Sequence, residues 1–219
     1  MPRIKTAQSF WMWFMCHQKV YLHLDKVNEK EKEAWLDELL NQLHKYHKDL
    51  GYVLNLEHGL HAELIISAEG DFRLFEEVTF LINVAPVLDD WLFINLVYPT
   101  EVKGTFTHDD MVFFPDDIYF TARHNNKRLG LLDLQLYMDI TQPNWQSAAF
   151  QNAVNLLLLN LLGEINFATT IGKFSVHDLQ NVRGKKQLHA LHKLPEFVAT
   201  RNVIRKLLPA MMSQGILFL

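Results

Sequence analysis

Residues 61–99 read HAELIISAEGDFRLFEEVTFLINVAPVLDDWLFINLVYP, and the fold follows from this stretch. Leu64, Ile65 and Ile66 form a short apolar run suited to a strand buried on both faces. Glu69-Gly70-Asp71 is turn chemistry: Gly70 tolerates a positive φ, and the Asp71 carboxylate can accept the unpaired N–H groups at the start of a helix. From Phe72 the pattern turns helical. Phe75, Val78, Leu81 and Ile82 recur at spacings of three and four, making one apolar stripe. Glu76 and Glu77 lie near the positive end of that helix dipole. Ala85-Pro86 stops the helix, because the residue before a proline avoids the α region. Trp91, Phe93, Ile94, Leu96 and Val97 then supply a second buried strand, closed by Pro99. The whole is a strand–helix–strand unit of about 35 residues, the size of a βαβ crossover.

On the N-terminal side, residues 6–24 read as a helix with Thr6 or Ser9 as cap and Trp11, Phe14, Met15 and Val20 as apolar surface. Asn28 caps a second helix over 29–48, with the stripe Trp35, Leu36, Leu39, Leu40, Leu43 and Tyr46 and alternating charges opposite. Residues 52–57 and 62–67 read as a β-hairpin turning at His58-Gly59. On the C-terminal side, 102–108 reads as a loop. Residues 118–123 and 131–140 read as strands joined by Asn125-Asn126-Lys127, the second alternating Leu132, Leu134, Leu136 and Met138 with polar residues. A third long helix opens at Pro143 or Asn144 and ends at Gly163. It carries no charge from Trp145 to Leu162, the mark of a buried helix. Residues 165–171 and 173–179 read as a last pair of short strands, and 197–208 as a weak helix.

The expected architecture is α+β: a mostly antiparallel or mixed sheet of five to seven strands packed with three long helices. Residues 1–182 are expected to form a single domain, and 183–219 a basic, apolar extension docked on that domain or on a second copy. The charges segregate accordingly. Of 21 Lys and Arg, 14 precede residue 183, as do 24 of the 25 Asp and Glu; the overall net charge is −4. That balance argues against a chain given over to nucleic acid or membrane surfaces. No aromatic residue interleaves with the basic ones of 183–193, which weakens a nucleic-acid role for the tail too. The single cysteine, Cys16, excludes an internal disulfide and fits a reducing compartment. The run Ser9–Cys16 is too short to span a membrane and lacks the features of a signal peptide, so a soluble, cytoplasmic protein is expected.

The segments E-L-I-I-S-A-E-G (63–70), A-P-V-L-D-D-W (85–91), L-L-G-E (161–164) and T-T-I-G (169–172), with F-W-x-W-F at 10–14, resemble a family of uncharacterised bacterial cytoplasmic proteins over roughly residues 8–180. The resemblance implies one α+β domain. It brings no catalytic residues and no substrate, and the basic tail falls outside it.

Familiar catalytic signatures are absent: the sequence holds no G-x-x-x-x-G-K-[ST], G-x-G-x-x-G, H-E-x-x-H, C-x-x-C or G-x-S-x-G. The best acidic constellation is three pairs, Asp89-Asp90, Asp109-Asp110 and Asp116-Asp117, with His108 beside the second. Clustered carboxylates suit a hard cation, and His108 with Asp109 and Asp110 offers a base with orienting partners. The plainer reading is turn-forming aspartates. A second set, Glu63, Ser67, Glu69 and Trp91, joined by Glu164, sits where strand ends gather binding sites in α/β units. Its plainer reading is a cap, a turn and a core tryptophan. His44/His47 and His189/His192 have the i, i+3 spacing of a shared helix face but lack accompanying carboxylates or thiols, so no metal and no cofactor is assigned. Cys16, beside Trp13 and Phe14, is expected to be a buried, inert thiol. The favoured function is a non-catalytic bacterial protein acting by protein–protein contact, with itself or another protein through the 183–219 tail. The alternatives are a metal-dependent hydrolase built on the Asp pairs and His108, or a small-ligand module near Trp91.

Overall fold

The apolar run at 64–66 lies within β2 (Ala62–Ser67), the middle strand of a three-stranded sheet. The computed structural model describes residues 3–56, 61–108, 111–125, 130–140, 145–182 and 187–201. β1 (Gly51–Asn55) pairs antiparallel with β2, Asn55 opposite Glu63. β3 (Trp91–Asn95) pairs in parallel with the other edge, Ala62 opposite Trp91. The parallel partner is reached through α3 (Phe75–Asn83). Asp71 prefaces that helix: its carboxylate accepts from the Arg73 N–H and opens a 3₁₀ turn, Phe72–Leu74, that runs straight into α3. The strand–helix–strand unit therefore forms, but its second strand ends at Asn95, short of Leu96 and Val97, and only Trp91 of β3 is buried. The turn expected at His58-Gly59 lies outside the described residues.

The chain divides into two compact units, Met1–Val97 and Tyr98–Leu219. In the first, α1 (Arg3–Tyr21) and α2 (Glu29–Tyr46) join α3 in covering the β2 face that carries Ala62, Leu64 and Ile66. Asn28 caps α2 by accepting from the Glu31 N–H at 3.0 Å. α1 begins earlier than read. Thr6 and Ser9 are not its caps but bond back to the Arg3 and Lys5 carbonyls inside the helix. Aromatic rings fill the space between α1 and the sheet. Phe14 meets Trp91 edge-on at 4.9 Å and Phe93 at 5.5 Å, and Trp11 lies 4.6 Å from Phe93. The buried Trp11 N–H donates to the Leu81 carbonyl at 2.8 Å, tying α1 to α3.

The second unit holds two sheets, so one sheet of five to seven strands does not form. The described strands make three sheets of three, two and four strands. β4 (Phe106–His108) and β5 (Met111–Phe113) pair antiparallel where a loop was expected. The larger sheet has the order β8-β7-β6-β9, with β6 (Tyr119–His124) antiparallel to β7 (Leu132–Met138). β8 (Ile171–Asp178) is a single strand parallel to β7. It is reached through α4 (Ala148–Leu162), whose Ser147 cap accepts from the Phe150 N–H, and α5 (Glu164–Thr170). The strand expected at 165–171 is thus a helix. β9 (His189–Ala190) adds to β6, and residues 194–201 form helix α6. Leu191, Leu194 and Val198 are buried in the same core as Phe120, Leu136 and Leu158, so this stretch of the tail packs on its own unit. The expected turn at Asn126-Lys127, the start at Pro143 or Asn144 and residues 202–219 lie outside the described residues.

α4 and α5 meet at 111° with only Gly163 between them. Gly163 has φ 72° and ψ 154°, a region open essentially to glycine alone. A Cβ there would lie 2.6 Å from Pro99 Cδ and 2.8 Å from the Pro99 backbone nitrogen. Gly163→Ala is therefore expected to cost about 2 kcal/mol or more in urea unfolding. Gly104→Ala, at a similar φ of 72° with nothing within 4 Å of the new Cβ, should cost less.

Three tyrosines brace the first unit through backbone carbonyls. Tyr21 donates to Trp35 at 2.9 Å, Tyr52 to Leu36 at 2.8 Å, and Tyr46 to Glu77 at 3.1 Å. Burial holds all three phenols neutral, and that of Tyr46 is pushed up to about 12 from 10.0. The folded chain keeps protons that the unfolded chain releases near pH 10, so this stability is present below pH 10 and is lost as pH rises toward 12. The denaturation midpoint should fall across that window. Tyr46→Phe should flatten the fall, which urea melts at stepped pH will read.

Candidate functional site

The aromatic packing of the first unit assigns every side of α1 a role. Ala7, Phe10, Trp11, Phe14 and Tyr21 are buried against the sheet and α3. A helix turns about 100° per residue, so Met12 and Cys16 fall on the opposite side, while Ile4 and Met15 lie on the flank beside Trp11. All four are exposed, Met12 at 63% and Ile4 and Met15 at 40%. Lys5, Gln8, Ser9 and Lys19 lie among them, also exposed. No acidic residue occurs anywhere in Arg3–Tyr21. The outer face of α1 is therefore apolar and basic. Large exposed apolar side chains are normal singly, but a set on one face marks a contact surface. Unbranched, polarisable methionines are favoured on such surfaces because they adapt to irregular partners.

The ends of this helix are held firmly. Arg3 donates to the Glu76 carbonyl at 2.7 Å, forms an ion pair with Glu77 at 2.9 Å and lies 4.1 Å over the Phe80 ring. The Tyr46 hydroxyl raises the guanidinium pKa further. At the other end Tyr21 is locked to Trp35. The outer face is thus presented by a rigid element.

Cys16 is exposed, which corrects the buried thiol expected from Trp13 and Phe14 beside it. Its neighbours in sequence point elsewhere on the helix: two residues on from the buried Phe14 is about 200° round the axis. His17 Nδ1 lies 2.8 Å from the Trp13 carbonyl.

The residues singled out by type in the sequence are distributed more widely. Glu63 accepts from the Asn55 amide at 2.9 Å across the β1–β2 pair. Ser67 is buried, and its hydroxyl accepts from the Glu69 N–H at 2.9 Å, shaping a turn in which Glu69 takes φ 52°. Trp91 packs on Phe14 in the core, and its N–H has no hydrogen-bond partner among the described residues. These four share one unit, but Trp91 faces its aromatic interior. Glu164, fully buried at the start of α5, belongs to the other unit.

Asp90, Asp116 and Asp117 line different cavities. Asp90 lines a depression of about 470 Å³ in the first unit, with Lys19, His23 and His61. Asp116 lines one of about 490 Å³ in the second, with Thr100, Lys103 and His192. Asp117 lines a third, with Phe113 and Phe150. His108 ends β4; Asp109 and Asp110 lie outside the described residues. Among the described residues no group of three or more His, Cys, Asp or Glu is placed to hold a metal ion. His44 Nε2 lies 3.1 Å from the Leu50 carbonyl, and His47 Nδ1 accepts from the Asp49 N–H at 3.3 Å, so both rings are taken up locally. His189 is in a strand and His192 in a 3₁₀ turn, not on one helix face.

No single helix among the described residues is long and apolar enough to cross a membrane. Compared with known proteins, the chain matches no family model, no curated protein and no solved structure.

The exposure of Cys16 is directly measurable. In native protein a disulfide reagent such as dithionitrobenzoate should titrate the one thiol at nearly the rate seen in denaturant. A rate slowed a hundredfold or more by burial would contradict the placement.

Proposed function

We propose that this chain is a non-catalytic bacterial, cytoplasmic protein that binds another protein, and that the outer face of α1 makes the contact. One observation carries the reading: Met12, 63% exposed, stands with Met15 and Cys16 on the outer side of a helix whose inner face is already filled. The charge pattern indicates the occupant. Lys5 and Lys19 flank the apolar residues and no acid balances them within the helix. An amphipathic segment of a partner protein, apolar on one side and acidic along its margins, complements that surface. The described part of the basic tail is packed on its own unit, which shifts the contact from the tail to α1. The two other readings draw less support. Asp90, Asp116 and Asp117 each line a different cavity, and Trp91 packs into the aromatic core.

The test uses a synthetic helical peptide with Leu on one face and Glu on the other, beside its Lys counterpart, read by fluorescence anisotropy. The acidic peptide should bind, weaken as salt rises, and lose about tenfold with Met12→Ser/Met15→Ser or with Lys5→Glu/Lys19→Glu. Equal binding of both peptides, or indifference to those substitutions, would overturn the assignment. So would a failure of the acidic peptide alongside α1-dependent binding to phosphatidylglycerol vesicles, which would make the surface a membrane contact.

A further inference from the structure

We propose that the second unit carries a binding site for a small alkylammonium ion, in the cavity between β5 and the start of α4. The cavity has a volume of about 240 Å³. Phe113 and Phe150 form its floor, both buried, with ring centroids 5.3 Å apart. Phe114 stands at its rim, 55% exposed. Met138 and Ile140 close one side. Two carboxylates line the same space, Asp117 and Asp139, and both side chains are exposed. Among the described residues no Lys, Arg or His lines it.

This combination selects a particular chemistry. Aromatic faces carry negative potential, and alkylated ammonium ions, being weakly hydrated, move onto them at little desolvation cost. Carboxylates at the mouth supply the counter-charge while staying in water, so they need no buried ion pair. An anion would meet two negative groups and no donor from a basic side chain. A neutral apolar molecule would fill the floor but leave the carboxylates unused. A compact cation with methyl or short alkyl substituents satisfies both halves.

The elements supporting the site are well anchored. Asp117 sits in the 3₁₀ turn Pro115–Asp117, closed by the Asp117 N–H donating to the Phe114 carbonyl at 2.9 Å. That same turn holds Phe114 at the rim. Asp139 follows β7 and accepts from the Gln180 amide at 3.3 Å. Gln180 in turn lies in a 3₁₀ turn whose first N–H bond goes to Asp178. The two carboxylates therefore come from different strands' ends, held by different turns.

The site belongs to the second unit, so the reading stands or falls apart from the α1 contact. The probe is choline, beside 3,3-dimethylbutan-1-ol, which has nearly the same shape without the charge. Saturation-transfer NMR and calorimetry on the full chain should show choline binding about tenfold tighter than the alcohol. Asp117→Asn/Asp139→Asn should remove that preference, and Phe114→Ala should weaken choline severalfold. Asp89→Asn, in the other unit, should leave it unchanged. Equal binding of choline and the alcohol, an unaltered preference in the double Asn variant, or binding of neither probe would each overturn the proposal. Unchanged melting temperatures of the variants, all made at exposed positions, separate loss of the site from loss of the fold.

Discussion

A strand buried over most of its length must pair its backbone on both edges, since an unpaired buried amide costs as much as a lost hydrogen bond. β2 is that strand. From Leu64 to Ser67 every residue is buried, and the first unit pairs both edges of β2 and covers the face that carries Ala62, Leu64 and Ile66. A hairpin supplies the β1 edge and a crossover supplies the β3 edge. The crossover needs α3, and α3 needs something to hold its carbonyl end and its first turn. Trp11 and Arg3 of α1 do that, one through Leu81 and the other through Glu76 and Glu77.

The character of α1 follows. Its inner side must be large and aromatic to fill the gap over a strongly buried strand, and its rings interlock with Trp91 and Phe93. Once that side is full, further apolar residues on the same helix have nowhere to go but outward. Ile4, Met12 and Met15 are the surplus. Met12, 63% exposed, adds least to the packing of the first unit, which is the reason to look for its use outside the chain.

Much of the first unit was legible in the sequence because its signals are long and agree. The Asn28 cap, the leucine stripe of α2, the Asp71 start and the Ala85-Pro86 stop each mark a boundary by a mechanism. The second unit was read less well. Residues 165–171 are short, apolar and partly β-branched, and periodicity alone cannot tell such a run from a helix. Gly163 decides it, since its backbone conformation starts a new helix at an angle instead of a strand. β4 and β5 are three residues each, too short to show alternation. The partition into separate sheets was out of reach because alternation identifies strands without naming their partners. The surface of α1 had a visible signal, the run F-W-M-W-F-M-C, which is longer than one helical stripe can absorb. Candidate sites chosen by residue type led away from it: charged residues cluster in turns for reasons of backbone geometry.

The two units also repeat one connection. In each, an antiparallel hairpin is followed by a helical crossover to a strand parallel with the hairpin's second member: β1-β2-α3-β3, then β6-β7-α4-α5-β8. The hairpin closes over a short loop, whereas the parallel strand returns only after the crossover is made. Local pairings form before distant ones because loop closure has to come first. While the chain is being made or is refolding, β2 and β7 therefore each spend time with one edge open. Both are apolar enough to recruit a neighbouring chain along that edge. Growth temperature and expression rate are therefore expected to affect how much of this protein reaches its native state without aggregating.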